Sequence, residues 1–154
     1  MATAPTGSER VPMSTLLAGL GRDATARVRR TLRPLGIGAQ QFLVLEQIQA
    51  LGQTSQAELA DAIGIDRSNL AVIAAELSDR DLVTRSRDEG DRRRYVLRLS
   101  AAGDRLLRRA DDALAADEED LLAPLDLEQR EQLYGLLRRL ADGVELCPIA
   151  AQQC

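Results

Sequence analysis

Between Leu82 and Gly103 the chain reads LVTRSRDEGDRRRYVLRLSAAG. Two short apolar runs, Leu82-Val83 and Tyr95 to Leu99, flank a loop of Arg, Asp, Glu and Gly. This is the pattern of two paired strands with a charged tip projecting into solvent. From Arg85 to Arg109 there are nine Arg against four acids, a local balance of +5. A hairpin tip so charged is expected to touch a polyanion.

Upstream of the hairpin the periodicity is helical. Leu16, Leu17, Leu20, Ala24, Val28 and Leu32 recur at three- and four-residue spacing from Met13 onward, an amphipathic helix ended by Pro34, Gly36 and Gly38. A second helix over Ala39 to Leu51 is expected to turn Phe42, Leu45, Ile48 and Leu51 inward and to stop at Gly52. Ser55-Gln56-Ala57-Glu58 has the form of a capping box, opening a third helix with Leu59 and Ile63 buried and Gly64 as its stop. Asp66 is the next N-cap, and the fourth helix from Arg67 to about Arg80 carries Leu70, Ile73, Ala74 and Leu77 as a clean buried stripe.

The opposite face of that fourth helix is unusual. A merely solvated face is rich in charge, whereas Ser68, Val72 and Ala75 are small and adaptable, with Asn69 and Glu76 to one side. Such a surface suits contact with base edges. Val72 or Ala75 can meet a thymine methyl, and Ser68 or Asn69 can hydrogen-bond a base or a phosphate at the helix N-terminus. Glu76, Asp79 and Asp81 would be repelled by phosphate, so the N-terminal half is the end expected to approach DNA. The helix pair alone reads equally well as an ordinary αα-hairpin. With the basic hairpin behind it, the order becomes that of a winged helix-turn-helix.

Downstream, Ser100 caps a helix starting near Ala101, with Leu106, Leu107, Ala110, Ala113 and Leu114 on its apolar side. Pro124 interrupts it. Asp126-Leu127-Glu128-Gln129 opens a last helix bearing Leu133, Leu136, Leu137, Leu140 and Val144. The expected fold is therefore mainly α, with a two-stranded β wing and helices from both termini forming a dimerisation region. Residues 1–10 read as a disordered tail, 11–34 as a dimerisation helix, 35–100 as the winged region, 101–146 as dimerisation helices and 147–154 as a C-terminal tail.

The totals limit the alternatives. With 154 residues the chain is one domain's worth of polypeptide. A net charge of -4 argues, taken alone, against a nucleic-acid binder, but acids and bases are segregated: Asp111 to Asp120 carries six acids and no base. All twenty cationic side chains are Arg, the residue suited to bidentate phosphate contact. There is no His, which argues against zinc sites and histidine acid–base chemistry, so neither an enzyme nor a metal or other cofactor is expected. Cys147 and Cys154 lie after the helical pattern and read as bystanders. No run reaches the roughly 18 apolar residues of a membrane span, and a cytoplasmic protein is expected.

Several segments, in order, resemble the MarR (multiple antibiotic resistance regulator) family. They are Leu35-Gly36-Ile37, Gln41 to Leu45, Ser55 to Ala60, Ile65 to Leu70, Leu77 to Val83, and Asp91-Arg92-Arg93-Arg94 through Leu99-Ser100-Ala101-Ala102-Gly103. The most specific are the Asp-x-Arg of the wing and the Leu-Ser-x-x-Gly after it. The resemblance implies a homodimer that binds pseudo-palindromic double-stranded DNA and represses its own or an adjacent operon, with the terminal helices packing on those of the other chain. It implies that Asp91 shapes the wing by pairing with an Arg of the loop and that Arg93 enters the minor groove. Arg92 and Arg94 would then contact phosphates or turn back onto the wing; the residues alone do not divide these roles. Arg67 is assigned either to phosphate or to covering the apolar stripe with its stem. The resemblance also implies a small aromatic or phenolic effector, for which Leu16, Leu20, Phe42, Leu45 and Leu107 are candidate pocket positions, each explained equally well as core. The alternative function is a winged-helix dimer acting as a protein-interaction module.

Overall fold

A computed structural model describes residues 11–87 and 95–142. The order is α1 (Met13–Leu32), a 3-10 turn (Arg33–Leu35), α2 (Ala39–Leu51), β1 (Thr54–Ser55), α3 (Gln56–Ile63), α4 (Arg67–Asp79), β2 (Val83–Arg87), β3 (Tyr95–Leu99), α5 (Ala101–Leu122) and α6 (Leu127–Ala141). The expected fold class holds, with one addition. The sheet has three antiparallel strands in the order β1-β3-β2, not two. Thr54 pairs with Leu97 and Ser55 with Val96, so the segment read only as a helix cap also borders the wing.

Local chemistry explains the boundaries. The Ser55 hydroxyl accepts the Glu58 amide at 3.2 Å, and Glu58 accepts the Ser55 amide at 2.9 Å, closing the capping box of α3. Gly64, at φ 74°, ends that helix in the left-handed conformation that a Cβ disfavours. Asp126 and Gln129 form the same reciprocal cap at the start of α6.

One core joins these elements. Leu45, Ile48, Leu59, Leu70, Leu77, Leu97 and Leu107 are fully enclosed, drawn from α2, α3, α4, β3 and α5. The α4 stripe Leu70, Ile73, Ala74 and Leu77 is buried as its spacing requires. In α2 the expectation fails at one position. Leu51 lies on the surface and Val44 is enclosed instead. The helix sits between α5 on one side and α3 and α4 on another, so its buried surface is wider than one stripe. α1 packs along α5. Arg27 links the two, reaching Asp23 at 2.8 Å and Asp117 at 3.4 Å.

The end of α4, the wing and the start of α5 meet at one junction. Asp81 takes the positive φ of 56° that usually falls to Gly, and the Leu82 amide reaches back to the Leu77 carbonyl at 2.9 Å to end α4. The Ser100 amide donates to the Leu82 carbonyl at 3.0 Å and the Ser100 hydroxyl to the Asp81 carbonyl at 2.5 Å. Ser100 then caps α5 by accepting the Gly103 amide at 2.9 Å. A Cβ on Gly103 would lie 2.0 Å from the Leu82 carbonyl oxygen. The Leu-Ser-x-x-Gly segment is thus a close backbone contact, with Ser and Gly each required by it.

Glu46 on α2 and Asp111 on α5 lie close enough to interact, and both titrate above the ordinary carboxylate range. For Glu46 the cause is burial first and then the charge of Asp111; for Asp111 it is burial and then Asp112. Raised carboxyl pKa values favour the fold below the unfolded pKa, and that contribution is lost as pH rises through the folded value.

None of the described helices is long and apolar enough to cross a membrane. Two outcomes are expected from the packing. Gly103→Ala should cost about 3 kcal/mol in a urea melt, because the contact is backbone and cannot yield without moving α5. Glu46→Gln should raise the thermal midpoint at neutral pH, and the gain should fade on acidification through the carboxylate range.

Candidate nucleic-acid interface

The turn between α3 and α4 spans only Gly64, Ile65 and Asp66, and it fixes how α4 is presented. Asp66 Oδ1 accepts the Asn69 amide at 2.8 Å and also accepts from the Ser68 hydroxyl. These bonds, the Ser68 hydroxyl foremost, hold the Asp66 carboxyl below its ordinary range. The Ser68 proton is therefore committed within the chain. Toward solvent Ser68 presents oxygen lone pairs, suited to an exocyclic amino group on a base edge.

Each expected reading-helix residue has a definite place. Arg67 and Ser68 are exposed, Asn69 is half-buried and Val72 is 57% exposed, so three of the four are open to solvent in α4's first two turns and Asn69 stands at their edge. Arg67 does not cover the apolar stripe. Its side chain is 71% exposed and reaches Asp61 at 3.8 Å, an ion pair worth little in water. Farther along, Glu76 is held by the Gln41 side-chain amide at 2.8 Å, on the side of the helix facing α2. The acidic positions sit beyond the small-sided N-terminal half, where the helix end also adds its positive dipole.

Beside α4 the wing rises from the sheet. Val83 pairs with Leu99, Arg85 with Leu97 and Arg87 with Tyr95. Asp91, Arg92, Arg93 and Arg94 fall outside the described residues, as do Cys147 and Cys154. Two cationic residues on the described strands were missed by sequence reasoning. Arg85 and Arg87 both lie against the Tyr95 ring, with guanidinium carbons 3.9 and 5.2 Å from its centroid. The available signal was an aromatic residue closing a basic hairpin in a chain with only three aromatics.

The five effector-pocket candidates are not brought together in one chain. Phe42, Leu45 and Leu107 are buried in the core, while Leu16 and Leu20 lie exposed on α1. An open cleft of about 390 Å³ lies elsewhere, lined by Ile48, Gln49, Gly52, Arg98, Ser100 and Asp104 among others. The α6 helix buries no residue within the chain: Leu133, Tyr134, Leu136, Leu137 and Leu140 all face solvent. Its described ties are at its start, where Arg130 donates to the Leu125 carbonyl at 3.1 Å and to Glu119 at 2.5 Å.

The profile of the MarR family matches residues 35–94, the segment containing α2 to α4 and the first wing strand. A putative transcriptional regulatory protein for the hcr operon of Thauera aromatica is 36% identical over 86 residues, covering 56% of this chain and 52% of that protein. The matched part thus spans about half that relative's length. Among solved structures, wild-type MarR from E. coli superposes with a TM-score of 0.76 at 22% identity, over 86% of this chain and 98% of its own. A mutant of the same protein complexed with operator DNA gives a TM-score of 0.71 at 21% identity, over 89% and 99% of the two chains. The PcaV transcriptional regulator of Streptomyces coelicolor, in complex with its natural ligand, gives 0.66 at 27% identity over 94% and 100%.

The cap on α4 has a pH signature. A depressed carboxyl pKa contributes stability above the unfolded value, and that contribution is lost as pH falls through the folded one. Asp66→Ala should lower the thermal midpoint at neutral pH, and the two melting curves should converge as the pH falls below the carboxylate range.

Proposed function

We propose that the chain is a transcriptional regulator of the MarR family and acts as a homodimeric repressor of its own or an adjacent operon. The observation that carries this reading is the outward side of α4. It combines a capped N-terminus with small side chains, next to an antiparallel hairpin bearing cations. In the proposed complex the first two turns of α4 enter the major groove. Ser68 and Asn69 contact base edges or phosphate, Val72 meets thymine methyls and Arg67 reaches phosphate. The wing lies over the adjacent minor groove, with Arg93 inserted, Arg92 and Arg94 on phosphates, and Asp91 pairing within the loop to fix its shape.

A single reading helix covers too few base pairs for specificity, which gives the exposed α6 face its purpose. We assign residues 11–34 and 101–146 to dimerisation and residues 35–100 to DNA binding. Leu136 and Tyr134, 57% and 65% exposed in the single chain, then become interior to a twofold interface. Such a dimer spaces its two α4 helices about 34 Å apart, one DNA turn, and so selects a pseudo-palindrome. The exposed Leu16 and Leu20 become walls of an effector pocket once the partner covers α1, above the core formed in part by Phe42, Leu45 and Leu107. PcaV, solved with its natural ligand, supports a small-molecule effector, for which we propose an aromatic or phenolic compound. A protein of this function works in the cytoplasm, where its operator lies.

A mobility-shift titration against the DNA upstream of its own gene tests the reading. Binding is expected at nanomolar protein, weakening steeply as salt rises. Arg93→Ala should cost about 1–3 kcal/mol of operator affinity with the dimer intact by sedimentation. A folded dimer with no DNA preference would favour the protein-interaction alternative.

A further inference from the structure

The hairpin face carrying Val83, Arg85 and Arg87 continues the core outward. Val83 and Leu97 are buried at its base, and beyond them Arg85, Tyr95 and Arg87 stand together. With guanidinium carbons at 3.9 and 5.2 Å from the ring centroid, one Tyr ring holds two cations from alternate positions of the neighbouring strand. Tyr95 keeps 39% of its surface exposed, so the stack lies at the solvent boundary. We propose that Tyr95 is a positioning residue that sets Arg85 as a phosphate contact at the stem of the wing. This rests on the DNA-binding reading above and adds residues to it.

Two physical points carry the assignment. Stacking occupies the flat face of a guanidinium and leaves its N–H donors, which lie in the plane, free to grip a phosphate. An ammonium has no such division between stacking face and donor edge. The second point is a competing partner. Arg85 and Asp79 line one groove of about 340 Å³ between α4 and the wing, together with Ala71, Ala75, Ser78 and Leu97. Among the described residues Arg85 nevertheless makes no ion pair with any carboxylate. The Tyr95 ring holds its cation off Asp79, where pairing would cancel the charge that a phosphate must meet. Because the groove's other wall is α4, a phosphate held there fixes the register of the reading helix.

The test is operator affinity of the full chain as a function of salt. Tyr95→Ala should weaken binding about twofold to fivefold. It should also flatten the slope of log affinity against log salt by roughly 0.9 for each phosphate contact released. Tyr95→Phe, which keeps the ring, should match the unsubstituted protein in both, and Asp79→Asn added to Tyr95→Ala should restore part of the slope. Should Tyr95→Ala fold poorly, Arg85→Ala gives the same flattening by removing the cation itself. Unchanged affinity and slope in Tyr95→Ala or in Arg85→Ala, with the unsubstituted protein binding well, would overturn the proposal. So would a Tyr95→Phe as weak as Tyr95→Ala, since the hydroxyl and not the ring would then matter. Absence of binding by the unsubstituted protein would overturn the DNA-binding reading itself, and the role of the stack with it.

Discussion

The Leu82 carbonyl is where this molecule is held together. It accepts the Ser100 amide at 3.0 Å and leaves room on α5 for nothing larger than the hydrogen of Gly103. One residue earlier, Asp81 turns the chain out of α4 at positive φ and receives the Ser100 hydroxyl on its own carbonyl. Three elements therefore share a few ångströms of backbone: the C-terminus of α4, the first strand of the wing and the N-terminus of α5. Close-packed interiors shift between discrete arrangements and do not deform smoothly. A displacement of α5 is thus passed to α4 and the wing together. In the proposed dimer this is the physical route by which a ligand near α1 and α5 would change the separation of the reading helices.

Much of this was legible in the chain, for identifiable reasons. Helix positions followed from caps and stripes: Asp66, Ser55 and Ser100 all accept the amide three residues on, and the α4 stripe is buried residue for residue. These signals are local, so the sequence carries them in one place. What escaped was set by partners distant in sequence. Thr54 and Ser55 became a strand only because β3 offers its free edge, and the inversion of Leu51 and Val44 follows from α2 being packed on more than one side. Gly103 was recognised by resemblance, but its reason, a carbonyl 21 positions earlier in the chain, required the fold.

The candidate interface divides in the same way. Ser68 and Val72 could be assigned to the outward side of α4 by 100° steps alone. That the Ser68 proton is spent on Asp66, converting the hydroxyl into an outward acceptor, could not. Likewise the charge count across the hairpin marked a basic region without distinguishing cations that are available from cations already paired. Arg67 and Arg27 are both paired with carboxylates, and Arg80 donates to the Gly36 carbonyl at 2.8 Å. Arg85 instead rests on an aromatic ring. For the proposed DNA contact the useful quantity is not net charge but the number of cations whose donors remain uncommitted on one face.

Exposure of α6 completes the energetics. A helix with six large apolar residues exposed and none buried among the described residues contributes little to the stability of an isolated chain, since tertiary burial is what sustains most helices. The winged region shares one enclosed core with α5 and carries its own caps, so the proposed reading surface on α4 is formed within one chain. In the proposed dimer the spacing between two such surfaces is not, and would come from whatever covers α6. If that cover is a second copy, stability and DNA specificity depend on the same buried leucines, and a substitution on α6 far from any base would loosen both at once.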